Sequence, residues 1–522
     1  MMSPSVARGV FNLRILKIDG CQSMEEVITE EEQQGEEIMT NEPLFPLLQE
    51  LRLQSLPWLG HFFVTKHALE FPFLREVTIH DCREMETFVQ QGFVSLERVN
   101  NDDEVNNKVM FNSKVSFPSL EELYINGANS ISDLCSYQLP TAHFSKLEIL
   151  NVKECAKLRN LMSPSVARGV LNLRILEIND CQSMEEAITE EEQEEEEIIT
   201  NEPLFPLLEE LKLQRLPKLR HFFLAKRALE FPFLRVVCIH DCPEMKTFVQ
   251  QGSVSTPSLE SVNNDDEVKV VDLNKVMFNS KVSCHSLEDL TIHWANSITV
   301  LCSYQLPTAY FSKLVILAVR NCGKLRNLMS PSVARGVLNL RILNIAGCQS
   351  MEEVITLEEQ QGKTIMTNEP VFPRLEELQL GRLPKLRHFF LTEHALKFPF
   401  LREVKIDDCP EMKTFVQQEI SVSTPILKWV NRDDEVKVDD LNKWTQQKFN
   451  SKAGQGTTDG YQSEAKDGDE SKATDGEKSK ASDGDESEAS DDDESEATYG
   501  DESEAADEDG SEATESRKGE PA

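Results

Sequence analysis

The stretch LNLRILEINDC, residues Leu171–Cys181, recurs with variations along this 522-residue chain. From its third residue it reads L-x-x-L-x-I-x-x-C, and related stretches are FLREVTIHDC at Phe73–Cys82 and KLEILNVKEC at Lys146–Cys155. In a short strand this spacing puts Leu176 and Ile178 on one face and the residues between them on the other. One such strand cannot bury its apolar face alone, so the pattern predicts that neighbouring copies stack.

The short pattern is nested in a longer duplication. MSPSVARGV at Met2–Val10 returns letter for letter at Met162–Val170 and Met329–Val337, after 160 and then 167 residues. Successive units start 25–35 residues apart, provided that a degenerate SLESVN unit at Leu259 fills the longest gap. This periodicity is typical of leucine-rich repeats. We therefore expect an α/β repeat fold, a leucine-rich-repeat solenoid or horseshoe of about sixteen units with a concave parallel β-sheet.

The repeated phrase MSPSVARGV has the composition of a short helix. Its Ser-Pro pair is a helix start signal, and the glycine at Gly169 is a stop signal before the next strand. We expect these helices on the convex side of the solenoid. Because the phrase already occurs at Met2, the chain is predicted to begin within an array that continued upstream in a longer protein or an ancestral gene.

The composition changes abruptly after residue 450. From Lys452 onward the chain has 25 Asp and Glu residues against 7 Lys and Arg residues, and almost no apolar side chain except Ala. Such a segment cannot bury enough surface to offset its conformational entropy. We therefore predict a repeat array over residues 1–450 and a disordered acidic tail over residues 451–522. Three acidic segments within the array, such as TEEEQEEEEIITNEP, are predicted to be surface loops.

Charge and hydropathy exclude several functional classes. A net charge of -37 does not suit the binding of nucleic acid, which needs clustered Lys and Arg. No run of about 18 apolar residues occurs, so we expect no membrane insertion. The first residues lack the apolar core of a secretory signal. These features predict reduced thiols and a cytoplasmic location, with the nucleus as the other possibility.

The sequence offers no candidate for catalysis or for cofactor or metal binding. It has no P-loop. The pairs His80–Cys82 and His240–Cys242 could suggest a nucleophile, but the third copy reads Asp407-Asp408-Cys409. Eight of the twelve cysteines instead take the same place in their units, which predicts a buried structural ladder: Cys21, Cys82, Cys155, Cys181, Cys242, Cys322, Cys348 and Cys409. We expect that the protein is not an enzyme.

The outward-facing positions of the strands remain as a candidate binding surface. Between the long copies the middle outward residue changes, as in Lys17, Glu177 and Asn344, while the apolar pattern stays. Exposed positions can drift freely, or recognition can vary on a constant framework, and the residues alone leave both open. If recognition varies, a protein ligand docks on the concave row Lys17, Arg52, Thr78, Tyr124, Asn151, Glu177, Lys212, Thr291, Asn344, Gln379 and Lys405.

Two stretches resemble a known family. FPxLEELxLxxLPKLRHF and LRNLMSPSVARGVLNLRILEINDCQSMEEAI are similar to the C-terminal repeats of plant intracellular coiled-coil, nucleotide-binding, leucine-rich-repeat disease resistance proteins, over about residues 2–430. The resemblance implies sensing of a pathogen effector or a modified host protein in plant defence. The coiled-coil and nucleotide-binding domains of that family do not occur in this chain. Two alternatives are an acidic leucine-rich nuclear protein of the histone-chaperone type and a truncated resistance gene product without function.

Overall fold

The computed structural model describes residues 2–453 with internal gaps. The longer gaps are 30–42, 92–107, 190–202, 252–275 and 357–369; the shorter ones are 66, 137–138, 141–142, 226–228, 281, 304–305, 308 and 432–437. The predicted acidic tail, the three predicted surface loops and the degenerate unit at Leu259 therefore lie wholly or largely outside the described residues.

A single parallel sheet of 14 strands runs through the described part of the array. In order, its strands are Ile15–Asp19, Glu50–Gln54, Glu76–His80, Glu122–Asn126, Ile149–Lys153, Ile175–Asn179, Glu210–Gln214, Val236–His240, Asp289–His293, Ile316–Arg320, Ile342–Ala346, Glu377–Gly381, Glu403–Asp407 and Trp429–Val430. We call it the main sheet. Strands that follow one another in this order are hydrogen-bonded neighbours, which is the arrangement of a leucine-rich-repeat solenoid and confirms the predicted fold class.

The degenerate unit predicted at Leu259 lies within residues 252–275, outside the described residues. The strand Val236–His240 pairs directly with Asp289–His293. The main sheet of the described residues therefore has 14 strands, and the array of about sixteen units stays a prediction.

Shorter strands form small parallel sheets where the chain returns after the main sheet. Their bounds are Glu26–Ile28, His61–Thr65, Leu69–Glu70, Val89–Gln91, Val109–Phe111, Val115–Ser116, Asp133–Cys135, Glu186–Ile188, His221–Ala225, Leu229–Glu230, Val249–Gln251, Val276–Phe278, Val282–Ser283, Val300–Cys302, Glu353–Ile355, His388–Phe390, Leu396–Lys397 and Val422–Ser423. In the described residues each of them pairs with a corresponding strand of a neighbouring unit, as Glu186–Ile188 does with His221–Ala225. Neighbouring units joined in this way are thus hydrogen-bonded both in the main sheet and at the return strands.

The apolar core lies between the main sheet and these return strands. Leu176 and Ile178 are fully buried, as the alternation of the sequence predicts. Phenylalanines contribute to this core, and a stacked pair recurs in every long copy: Phe62–Phe88, Phe222–Phe248 and Phe389–Phe415, with ring centroids 4.9, 5.3 and 4.7 Å apart. The repeated sequence therefore builds the same packing three times.

A left-handed residue follows each of the 14 strands of the main sheet. The backbone angle φ is positive at Gly20, Ser55, Asp81, Gly127, Glu154, Asp180, Arg215, Asp241, Trp294, Asn321, Gly347, Arg382, Asp408 and Asn431. This conformation turns the chain away from the sheet before the next residue, often Cys or Leu, enters the core. It costs about 1 kcal/mol at a residue with a Cβ, so the turn is stabilised by the packing around it.

The repeated phrase forms the predicted short helices α1 Pro4–Gly9, α2 Pro164–Gly169 and α3 Pro331–Gly336. In α2 the side chain of Ser163 accepts a hydrogen bond from the N–H of Val166 at 3.4 Å. The three copies differ in burial, because Val166 is 2% exposed and Val6 is 54% exposed. The same sequence is thus packed in the second copy and open to solvent in the first.

A fourth helix, α4 Leu441–Ala453, packs at the end of the described array. Leu441 and Thr445 are fully buried, and Trp444 packs against the core. The sequence predicts that the repeat array extends to residue 450, so most of this helix lies within the predicted array. The helix covers apolar side chains of the last described units.

The predicted cysteine ladder is present except at its first member. Cys82, Cys155, Cys181, Cys242, Cys322, Cys348 and Cys409 are buried free thiols. In the typical geometry the Cys242 thiol donates to the carbonyl oxygens of Leu213 and His240, both at 3.7 Å. Cys21 is exposed, so the prediction of burial is wrong there; its strand has a neighbouring main-sheet strand on one side only within the described residues.

Candidate protein-binding face

The register of the main sheet brings all eleven predicted binding residues into one row. Lys17 lies beside Arg52, Arg52 beside Thr78, and the pairing continues in the same way to Gln379 beside Lys405. Two residues that the prediction omitted complete the row. Cys238 lies between Lys212 and Thr291, and Ala318 lies between Thr291 and Asn344. We call these 13 positions the middle row.

The middle row changes in character along the sheet. Lys17 is exposed, and most of the following members are half-buried. Towards the third long copy the side chains become small and covered, since Ala318 is 9% and Asn344 is 8% exposed. Asn344 donates to the side-chain oxygen of Gln379 at 2.9 Å. Small and amide side chains thus occupy this part of the row before it ends at Lys405, whereas long charged side chains begin it.

Carboxylates that the sequence analysis overlooked lie beside the first cations of the row. Glu50 and Glu76 occupy the first position of their strands, two residues before the middle row. Lys17 Nζ lies 3.0 Å from Glu50, Arg52 Nε lies 2.6 Å from Glu50, and Arg52 Nη2 lies 3.0 Å from Glu76. The cations are therefore already paired, and a ligand that binds them has to compete with these carboxylates.

The second long copy has the same kind of pairing with other residues. Lys212 Nζ lies 2.9 Å from Glu210, and this hydrogen bond raises the pKa of Lys212. Glu177 accepts from Asn151 at 2.9 Å and pairs with Lys153 at 3.0 Å. The outward residues thus form a network across strands, so a change at one position alters the partner of its neighbour.

In some strands of the main sheet the first position holds isoleucine instead of a carboxylate residue. Ile149 and Ile175 are neighbours in register, and so are Ile316 and Ile342, all of them half-buried. These pairs occupy the position that glutamate has in other strands. They add apolar contact area to a face whose middle row is mostly polar. The sequence could have predicted these outward-facing isoleucines, because they alternate with the inward-facing residues of the same strands.

Histidines line the other side of the middle row. His80, His240 and His293 each stand at the last position of a strand, and the rings of His240 and His293 lie 5.6 Å apart. Burial lowers the pKa of His293, with further contributions from Arg320 and His240. The imidazole of His293 is therefore uncharged near pH 7.

The geometry does not favour catalysis at the His–Cys pairs. The Cys82 thiol donates to the backbone oxygen of His80 at 3.6 Å and to that of Leu53 at 3.7 Å. Burial raises the pKa of Cys82 to about 12, which keeps the thiol protonated near pH 7. Within the described ranges, no group of three or more His, Cys, Asp or Glu side chains is placed to hold a metal ion. Among the helices of those ranges, none has the length and hydropathy needed to cross a membrane.

The sequence matches the family described as plant disease resistance protein RPS2-like, leucine-rich repeats, over residues 1–103, 119–256 and 286–424. The chain belongs to this family. The RPS2-like match ends close to the last strands of the main sheet. Its three segments leave out residues 104–118 and 257–285. The strands that flank the first of these stretches, Glu76–His80 and Glu122–Asn126, pair with each other. The strands that flank the second, Val236–His240 and Asp289–His293, also pair.

Solved structures similar to the RPS2-like chain are distant. The TLR13 chain of a TLR13–ssRNA13 complex is 12% identical, with 76% of this chain and 66% of that chain covered and a TM-score of 0.14. The plant peptide hormone receptor RGFR1, solved with RGF2, is 10% identical, with coverages of 74% and 80% and a TM-score of 0.11. No argument rests on these two likenesses. Curated proteins gave no match.

Proposed function

We propose that the chain is a protein-recognition module of plant innate immunity, which binds a pathogen effector or a modified host protein on the concave face. Membership of the RPS2-like family supports this role. The single observation that carries the choice of surface is the middle row, where Lys17, Glu177 and Asn344 hold equivalent positions on the same framework. Variation of charge on a constant frame is what specific recognition requires.

The composition of the face favours a polar and specific contact. Paired charges, amides and a few isoleucines are typical of interfaces between proteins that exist separately, rather than of obligate ones. Strands of a sheet are about 4.8 Å apart, so about six of them span a typical interface patch. We further propose that the protein has no enzymatic activity, binds no nucleic acid and acts in the cytoplasm, where its thiols remain reduced.

Affinity capture with a charge-reversed variant tests the proposal. The variant carries Lys17→Glu, Arg52→Glu, Glu177→Lys and Lys212→Glu, all on the middle row. The full chain and the variant are used to capture proteins from leaf extracts with and without pathogen challenge, and each captured protein is then tested in purified form. We expect at least one protein that binds the wild type directly and is lost with the variant.

A matched control reverses equivalent charges elsewhere on the array. The control variant carries Arg220→Glu and Lys246→Glu. Both residues lie on consecutive return segments, outside the main sheet. This control should retain the partner. A partner that binds the charge-reversed variant as well as the wild type would contradict the concave face as its binding surface.

The acidic tail supports the second candidate, a histone-chaperone type of function. A chain that ends at Ser451 distinguishes the two. If the shortened chain loses basic partners such as histones while the middle-row variant keeps them, the chaperone alternative is favoured. If the wild-type chain captures no protein that binds it directly, a truncated gene product without function becomes the better interpretation.

A further inference from the structure

A second candidate site lies beside the main sheet, at the edge where its strands begin. An open groove of about 590 Å³ is lined by Glu288, Lys313, Val315, Asn339, Arg341, Arg374, Glu376 and Phe400. Val315, Arg341 and Glu376 each directly precede a strand of the main sheet, so the groove runs across successive units. We call it the entry groove. None of its residues belongs to the middle row.

Two cations of the entry groove have no carboxylate partner among the described residues. Arg341 is paired, because its guanidinium lies 2.7 Å from Glu376. Arg374 Nη1 instead donates to the side-chain oxygen of Asn339 at 2.7 Å. Lys313 Nζ reaches the Ser286 hydroxyl at 3.5 Å. Both Lys313 and Arg374 are exposed, so an anionic ligand can approach them without displacing a carboxylate.

An exposed aromatic ring forms the apolar part of the groove. Phe400 is 49% exposed, and Val315, which also lines the groove, is half-buried. A phenylalanine side chain has an area on the order of 200 Å², so a large part of one ring is available for contact. The entry groove therefore offers positive charge and apolar area to the same ligand.

Comparison with the preceding long copy shows what is particular to this groove. The equivalent positions, 167 residues earlier, are Glu121, Lys146, Glu148, Asn172, Arg174, Leu207, Glu209 and Phe233. Six of the eight residue types are identical, and the central ion pair recurs, with Arg174 Nη1 3.1 Å from Glu209. Only Val315 for Glu148 and Arg374 for Leu207 differ. The earlier set has two cations and three carboxylates, and the entry groove has three cations and two carboxylates.

We propose that the entry groove binds an acidic peptide segment of a partner protein that carries an aromatic or aliphatic side chain between its carboxylates. The carboxylates pair with Lys313 and Arg374, and the apolar side chain packs on Phe400 and Val315. The groove crosses units whose strands are about 4.8 Å apart, so about four or five extended residues fill it. Within a chain of net charge -37, a groove with an excess of cations selects an acidic ligand by its contrast with the surrounding surface.

The experiment exchanges the two differing residues between the equivalent sites. The probe is a fluorescein-labelled peptide in which Glu alternates with Phe, and its anisotropy is measured with the full wild-type chain. The variant Val315→Glu with Arg374→Leu gives the entry groove the residue types of the earlier copy. Since that combination already exists at a folded equivalent site, the variant should fold, and circular dichroism checks it.

We expect saturable binding of one peptide by the wild type and a loss of about tenfold or more in affinity for the exchange variant. The reciprocal variant, Glu148→Val with Leu207→Arg, should bind a second peptide per chain. Phe400→Ser should also weaken binding, and a peptide in which Ser replaces Phe should bind more weakly than the Glu–Phe probe.

The proposal is overturned if the wild type shows no saturable binding, or if the exchange variant binds the probe as tightly as the wild type. It is also overturned if the reciprocal variant gains no second site. Equal binding of the Glu–Ser peptide, or of a single-stranded oligonucleotide with the same charge, would show that charge alone is recognised. The middle-row variant leaves the groove unchanged and should bind the probe normally, so the two proposals fail independently.

Discussion

The side-chain oxygen of Asn442 accepts a hydrogen bond from the backbone N–H of Phe415 at 2.8 Å, across 27 positions of sequence. The same oxygen accepts from the N–H of Val416 at 3.2 Å, and the amide donates to the carbonyl oxygens of Gln417 and Ile420 at 3.1 and 2.7 Å. Asn442 is 1% exposed and belongs to α4. One side chain thus satisfies four backbone groups and ties the helix to the last repeats.

The substitution Asn442→Ala should therefore destabilise the end of the array. It leaves buried backbone groups without partners, which we expect to lower the free energy of unfolding by about 2–4 kcal/mol. Urea denaturation gives this value, and hydrogen exchange shows whether residues 415–453 open first. The control is Gln446→Ala, which removes one exposed bond to Gln418. Equal effects of the two substitutions would contradict this role of Asn442.

Gly347 and Gly20 form a matched pair for the left-handed turn after a strand. Both have a φ of 69°, but a Cβ at Gly347 would overlap the side chain of Asn321, and a Cβ at Gly20 would meet no atom within 4 Å. Gly347→Ala should lower the free energy of unfolding by about 1–3 kcal/mol more than Gly20→Ala does. Thermal or urea denaturation measures the difference. Two equal values would mean that Asn321 moves aside freely.

Because of the buried thiols, the free energy of unfolding should decrease as the pH rises in the alkaline range. Burial raises the pKa of Cys82 and Cys242 from 9.0 to about 12. The protonated form is favoured in the folded state, so this contribution is complete below pH 9 and is lost as the pH rises towards 12. Each thiol should then remove about 1 kcal/mol of stability per pH unit above pH 9. Urea midpoints measured between pH 8 and pH 10.5 test this, and Cys82→Ala should flatten the slope.

Thiol labelling of the native chain at pH 8 should distinguish Cys21 from the rest of the ladder. Cys21 is exposed, whereas Cys181, Cys242 and Cys322 are buried. We expect rapid reaction of Cys21 with an aromatic disulfide reagent and slow reaction of the other three until the chain unfolds. Labelling followed by peptide mass analysis assigns the sites. Rapid modification of the three buried thiols in the native state would contradict their packing.

The charge-reversed middle-row variant should remain folded. Lys17 and Arg52 are about half exposed, so their ion pairs with Glu50 and Glu76 are screened by solvent and contribute little each. We expect the four substitutions to change the free energy of unfolding by no more than about 2 kcal/mol at physiological salt. Circular dichroism and urea denaturation check this. A variant that unfolds would show that the outward network also supports the sheet.

The sequence determined the solenoid, since the L-x-x-L-x-I-x-x-C pattern assigns Leu176 and Ile178 to the core by alternation alone. The duplicated phrase likewise predicted the helices α1, α2 and α3. Local patterns of this kind are readable because a strand or a helical turn places side chains by a constant period. Equivalence of positions between units also predicted the middle row, whose members then lie in register.

Only the tertiary structure showed which outward groups are paired and which remain available. Glu50 lies next to Lys17 because their strands are hydrogen-bonded neighbours, although 33 positions separate them in the chain. The same applies to the entry groove, where Lys313 and Arg374 come together from different units, and to Asn442, whose four partners lie in an earlier repeat. The periodicity of the sequence predicts on which face of the sheet a side chain lies. Contacts between units also depend on the length of each loop and of each side chain, and no local sequence pattern contains that information.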